Sequence, residues 1–301
     1  MLTTRAVGYW AALVLATLAL TRMAPTTRAA DREQAAATAG ELLKHVGGNR
    51  GLCVVIGQAP DIVMELVHAS ELLVLVREPN TKARVRLQRA ANEAGVGIDR
   101  LVIQQGSPER VPCADRMIDA VIASPGSVGN AEALRALRPE GVLVRHGGGK
   151  TTVQRRPPQK GAGEWTHWEH GPDNNPVSED SVIKAPYMTQ FMAGPFYIGM
   201  PSVTTAAGGR TFLAIGHIAH HRREWKQLNT LIARNGYNGT ILWQRQLPEG
   251  YLVHRSAFIA TRETFYMIDQ ASCRLLDPQT GREQGRIRIP GLVGEWKWMV
   301  K

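Results

Sequence analysis

Short, continuous apolar runs alternate with helix-like segments along the first half of the chain. Runs that are apolar on both faces and are separated by helices are typical of a parallel sheet covered on both sides. Right-handed crossovers then predict a doubly wound α/β domain with strand order 3-2-1-4-5. The predicted strands are 52–56, 72–76, 101–104, 118–123 and 141–145, and the predicted helices are 34–44, 61–69, 80–95 and 130–137.

The pattern changes after residue 163. Helical periodicity stops, all but one of the seven tryptophans follow, and short strands separated by turn residues predict an antiparallel all-β region. Glycines and prolines over 147–163 predict a linker, so no further strand is expected to extend the first sheet. The predicted organisation is a targeting segment 1–30, an α/β domain 31–146, the linker 147–163 and the β region 164–301. The predicted strands of this region are 211–215, 230–233, 240–244, 257–260, 264–268, 274–276 and 285–289.

The β region contains a repeat. Residues 233–243 and 275–285 align with Gly239 opposite Gly281 and Asn235 opposite Asp277, a spacing of 42 residues. A period of ~40–45 residues with four strands per unit is typical of a propeller blade. The repeat resembles the blades of the PQQ-type (quinoprotein-like) propeller family, whose pattern is Ala-x-Asp-x-x-Thr-Gly-x-x-x-Trp. The first copy has Asn238 where that pattern has Thr and keeps its Trp as Trp243.

The propeller resemblance implies a turn closed by an Asp or Asn side chain, a glycine at positive φ, and a Trp packed between adjacent blades. It also implies a quinone and a calcium ion in those members that close a ring of many blades. This chain has room for about three blades, so we expect an incomplete propeller that does not bind pyrroloquinoline quinone. We expect it instead to offer a surface to a protein or a small-molecule ligand.

The first domain carries a second resemblance. Residues 54–57 form a strand and its turn, residues 72–78 form a strand ending in Glu78, and residues 110–122 lead into Leu-Arg-Pro-Glu-Gly before the fifth strand. These stretches are similar to class I S-adenosylmethionine-dependent methyltransferases, which have a Rossmann-like fold, over about residues 40–146. The resemblance implies S-adenosylmethionine as the cofactor. The binding positions it implies are Gly57, Glu78, Gly106 and Ser107, with Glu78 facing the ribose hydroxyls.

The chain departs from that family at two loops. The family's first loop is acid-x-Gly-x-Gly, whereas residues 57–61 here are Gly-Gln-Ala-Pro-Asp. After the third strand the family's acid is replaced by Gln105-Gly-Ser. The main hypothesis is therefore an exported binding or scaffold protein whose methyltransferase-like domain is degenerate. An active methyltransferase and a part of a quinoprotein oxidoreductase are the alternatives, and a solvated loop acid is the alternative role of Glu78.

Composition narrows the class of protein. The 301 residues are 44% hydrophobic and 21% charged, which is typical of a folded globular protein. Arg5, the apolar run 6–20 and the small residues Ala29 and Ala30 predict a signal peptide and export. An uncleaved N-terminal anchor is the alternative, and no further membrane span is expected. The net charge of +10 is spread along the chain without a nucleic-acid-binding motif, so no nucleic-acid partner is expected.

Cysteine and histidine positions predict neither a disulfide framework nor a metal site. The three cysteines, Cys53, Cys113 and Cys273, are widely spaced, and Cys53 lies in a buried run. The cluster of three histidines in 217–221 and the oxygen-rich stretch 173–180 lack the spacing of known zinc and calcium sites.

Overall fold

The computed structural model describes residues 29–195, 199–248, 251, 253, 258–294, 296 and 298–301. The predicted signal peptide therefore lies outside the described residues, apart from its last two positions. Within the described part of the chain, no helix is long and apolar enough to cross a membrane.

The first sheet has six strands in the order β3-β2-β1-β4-β5-β6. Its first five strands are parallel, so the predicted order 3-2-1-4-5 is confirmed. The strands are β1 Arg50–Ile56, β2 Glu71–Arg77, β3 Leu101–Gln104, β4 Ile118–Ala123, β5 Leu137–Gly147 and β6 Lys150–Arg155.

Strand β6 corrects the prediction that residues 147–163 are a linker. Gly148 and Gly149 have φ values of +59° and +72°, and a two-residue turn with both values positive joins antiparallel strands. β6 consequently pairs antiparallel with β5, with Gly147 opposite Lys150. Gly148 and Gly149, predicted to lie in a linker, instead form a hairpin turn, because their positive φ values match the twist of paired strands.

Helices cover both faces of this sheet. Residues 29–46 form α1, and α2 Pro60–His68, α3 Thr81–Glu93 and α4 Asn130–Ala136 follow. Helices α1, α2 and α3 share one apolar core with the sheet, whereas α4 packs into the core on the opposite face. Asn80 accepts a hydrogen bond from the Ala83 backbone N–H at 3.1 Å, so it caps α3 as predicted.

The β region contains two four-stranded antiparallel meanders. The first is β7 Met200–Ala207, β8 Arg210–Ile218, β9 Thr230–Asn235 and β10 Ile241–Gln246. The second is β11 Phe258–Ala260, β12 Phe265–Asp269, β13 Ser272–Leu276 and β14 Glu283–Arg288. Seven of these eight strands coincide with predicted ones. The prediction missed β7 because its buried positions are Val203, Thr205 and Ala207, and two of these three are small or polar.

The two copies of the repeat form equivalent turns. Gly239 donates its N–H to the Asn235 carbonyl at 2.9 Å, and Gly281 donates to the Asp277 carbonyl at 2.8 Å. Gly239 and Gly281 have φ values of +74° and +70°, as the resemblance implied. Trp243 of the first meander packs against Gly281 of the second and donates its indole N–H to a backbone carbonyl there at 3.1 Å. The two meanders therefore share one apolar core.

One buried carboxylate joins the first sheet to the β region. Asp119 of β4 has a side chain that is only 8% exposed. Its Oδ1 accepts from Arg138 Nε at 2.5 Å and from Asn235 Nδ2 at 2.7 Å. Its Oδ2 accepts from the Leu52 backbone N–H and from Asn238 Nδ2, both at 2.9 Å. The two asparagines belong to the first repeat turn, so that turn is held at the amino-terminal edge of the sheet.

The neighbouring backbone leaves room for this carboxylate. A Cβ on Gly51 would lie 2.5 Å from Asp119 Oδ2, and Gly51 has a φ of +144°. Only glycine combines this φ with so close an approach.

The same contacts explain why the first repeat has asparagine where the propeller pattern has aspartate. Replacing Asn235 by Asp would put a second carboxylate where an amide now donates to Asp119 at 2.7 Å. We expect Asn235→Asp to lower the free energy of unfolding by about 2–4 kcal/mol at pH 7, because like charges would meet in a buried site. Urea denaturation measures the change. The loss is expected to shrink as the pH falls below neutral and to vanish near about pH 4, because a carboxylate beside a like charge takes up its proton at a higher pH than usual.

The second repeat supplies the matched control. Asp277 Oδ1 accepts from the backbone N–H groups of its own turn at 2.7 and 2.9 Å. Asp277→Asn keeps that acceptor oxygen, so we expect a change of no more than about 1 kcal/mol. Equal losses in the two variants would contradict a special role for the contact with Asp119.

Candidate functional site

All four residues that the methyltransferase resemblance implied lie at the carboxyl edge of the sheet, where β1, β2 and β3 end. Gly57 follows β1, Glu78 follows β2, and Gly106 and Ser107 follow β3. Open α/β sheets bind ligands at this edge, at the point where the strand order reverses. In this sheet that point lies between β1 and β4.

A buried glutamine crosses the switch point. Gln58 is 9% exposed, and its Nε2 donates to the His146 carbonyl at 3.0 Å and lies 3.4 Å from Ser124 Oγ. Ser124, after β4, in turn donates its hydroxyl to the Gly57 carbonyl. These bonds tie the ends of β1, β4 and β5 together. The chain's own polar groups thus occupy the space between the strand ends.

The carboxylate of Glu78 is engaged by the neighbouring backbone. Its Oε1 accepts from the Asn80 N–H at 2.7 Å, while the Glu78 N–H donates to the Gln104 carbonyl at 3.0 Å. Glu78 therefore stabilises the turn that leads into α3. Its second oxygen accepts no hydrogen bond from the described residues.

An arginine covers the loop after β3. Arg77 Nε donates to the Ser107 carbonyl, and Arg77 Nη1 to Gln104 Oε1, each at 3.3 Å. A Cβ on Gly106 would lie 2.1 Å from Arg77 Nη2, so the guanidinium lies directly on that glycine. The Ser107 hydroxyl accepts from the Glu109 N–H at 3.2 Å, which closes the loop onto itself.

The cysteines do not provide a nucleophile at neutral pH. Burial, and then the charge of Asp119, raises the pKa of the Cys53 thiol to about 12. Burial raises the pKa of Cys273 to about 11 and also raises that of Cys113. A thiolate is the reactive form, so all three are protonated at pH 7. Among the described residues, no group of three His, Cys, Asp or Glu side chains is arranged to hold a metal ion.

Four cavities among the described residues lie on other surfaces, and Gly57, Glu78, Gly106 and Ser107 are not part of the walls of these four. One has a volume of about 330 Å³ and lies between the amino-terminal edge of the sheet and the β region. Its wall includes Asp119, which was not among the predicted site residues. The signal that could have found it is a charged residue inside an otherwise apolar strand, which requires buried partners.

No protein-family profile matches the chain, and no curated protein matches it. Solved structures that resemble part of it include an assigned S-adenosyl-L-methionine-dependent methyltransferase from Methanococcus maripaludis (20% identity, 38% of this chain, 56% of that chain, TM-score 0.35). Geranyl diphosphate methyltransferase in complex with SAM matches with 19% identity, 36% of this chain, 48% of that chain and a TM-score of 0.33. The [4+2]-cyclase SpnF matches with 15% identity, 36% of this chain, 43% of that chain and a TM-score of 0.34.

The chain spans about half the length of these structures, and each match covers little more than a third of this chain. Similarity at this level identifies neither an activity nor a ligand.

The contacts of Glu78 lead to a stability prediction. Glu78→Ala removes the acceptor for the Asn80 N–H, so we expect the free energy of unfolding to fall by about 1 kcal/mol. Urea denaturation measures it, and Glu93→Ala at the exposed end of α3 is the control, with little expected change. Unchanged or increased stability in Glu78→Ala would contradict this structural role and would favour a role of Glu78 in ligand binding.

Proposed function

We propose that this chain is an exported binding scaffold rather than a methyltransferase. Its α/β domain keeps a methyltransferase-like Rossmann fold but does not bind S-adenosylmethionine, and its β region supplies a propeller-type surface for a protein or small-molecule ligand. The observation that carries the proposal is the position of the buried Gln58 side chain at the switch point. Gln58 follows β1, and its Nε2 donates a hydrogen bond to the His146 carbonyl of β5 at 3.0 Å.

Two features of the carboxyl edge, one steric and one energetic, support the proposal that the chain does not bind the cofactor. Cofactors of Rossmann-type folds approach the backbone of the first loop closely, and glycines there make room for them. Here Gln58 fills that approach, and Arg77 covers the loop after β3. Admitting a ligand would break buried hydrogen bonds, each contributing about 0.5–1.5 kcal/mol.

The rest of the chain supports a scaffold. The buried bonds of Asp119 fix one repeat turn to the sheet, and the two meanders share an apolar core. Both arrangements are structural, and neither involves the carboxyl edge of the sheet. Export is supported by the basic and apolar pattern of residues 5–20 and by Ala29 and Ala30.

Isothermal titration of the full chain with S-adenosylmethionine and S-adenosylhomocysteine tests the proposal. We expect no heat of binding up to millimolar ligand, because the chain's own side chains occupy the edge. Micromolar affinity for either compound would overturn it. In that event Glu78→Ala separates the remaining hypotheses, since loss of binding in this variant would support an active methyltransferase with Glu78 on the ribose.

A further inference from the structure

The cavity between the amino-terminal edge of the sheet and the β region, here called the junction cavity, has a strongly basic wall. All four of its basic residues are arginines, and its volume of about 330 Å³ is at the lower end of the range for small-molecule pockets. The four are Arg50, Arg138, Arg155 and Arg210.

The two carboxylates of the wall are already engaged. Asp119 accepts from Arg138 and from three further donors. Glu140 accepts from Arg262 Nη1 with both oxygens, each at 2.9 Å. Arg50 pairs outside the wall with Glu71. The two acids of the wall therefore form no ion pair with its remaining two arginines, Arg155 and Arg210.

Arg210 and Arg155 have only neutral partners among the described residues. Arg210 Nε donates to Gln279 Oε1 at 3.0 Å, and its Nη1 to the Arg262 carbonyl at 3.3 Å. Arg155 Nη2 donates to the His45 carbonyl at 3.0 Å. Burial, and next the nearby Arg138, lowers the pKa of Arg210, whereas the charges of Asp277 and Glu140 act in the opposite direction.

Glycine pairs complete the wall from both sides. Gly47 and Gly48 lie between α1 and β1, and Gly208 and Gly209 form the turn between β7 and β8. Gly47, Gly208 and Gly209 have positive φ values of +75°, +58° and +71°. Glycine turns let a ligand approach the backbone, and such turns are common around phosphate groups.

We propose that the junction cavity binds a small molecule through a phosphate or pyrophosphate group held by Arg155 and Arg210. Guanidinium groups bind phosphate oxygens in a bidentate manner, which suits an all-arginine wall better than lysines would. Arg155 belongs to the first sheet and Arg210 to the β region, so the ligand bridges the two. This site is independent of the carboxyl edge and of whether that edge binds a cofactor.

Isothermal titration of the full chain with inorganic pyrophosphate, at low and constant ionic strength, tests the proposal. We expect saturable binding of one pyrophosphate per chain. Arg210→Gln and Arg155→Gln should each weaken it about tenfold or more, because each removes a charged hydrogen-bond donor. Arg155 is exposed on β6, so its variant is expected to fold even if Arg210→Gln does not.

Arg89→Gln is the matched control, because it removes the same charge from an exposed position on α3 and should leave the affinity unchanged. Three results would overturn the proposal. The first is that pyrophosphate shows no saturable binding. The second is that Arg89→Gln loses as much affinity as the cavity variants, which would indicate diffuse electrostatic attraction. The third is that citrate binds as tightly as pyrophosphate.

Discussion

The arrangement of the chain depends on one buried carboxylate. A carboxylate removed from water is costly unless every oxygen accepts hydrogen bonds or faces a positive charge. Asp119 meets this condition only by combining a backbone N–H of β1, the guanidinium of Arg138 and two amides of the first repeat turn. The sheet and the β region therefore complete each other's polar contacts, and neither supplies all of these donors alone.

This constraint gives the two edges of the sheet different roles. The amino-terminal edge is joined to the β region and borders the basic junction cavity. At the carboxyl edge, where folds of this kind place their ligands, Gln58, Ser124 and Arg77 form hydrogen bonds to neighbouring carbonyls of the chain. The basic junction cavity is thus at the end of the sheet opposite to the one where the fold would place a ligand.

The two repeat turns show how one backbone shape serves two purposes. In both turns a glycine N–H, of Gly239 or of Gly281, donates to the backbone carbonyl of the residue four positions earlier. Asp277 can only accept, and it satisfies N–H groups of its own turn. Asn235 accepts from the Tyr237 N–H within its turn at 2.9 Å and also donates to Asp119. The substitution of Asn for Asp, which looks like decay of the repeat, is what allows the turn to dock.

The sequence by itself determined the parallel sheet, its strand order, the cap at Asn80 and seven of the eight strands of the β region. These follow from local patterns of apolar residues, glycines and capping side chains, which act over a few residues. Tertiary structure alone decided that Gly148 and Gly149 turn the chain into β6, that Gln58 and Arg77 form hydrogen bonds at the carboxyl edge, and that Asp119 meets Asn235 and Asn238. Those contacts join residues far apart in the chain, and the geometry and charge that create them exist only once the separate elements have packed.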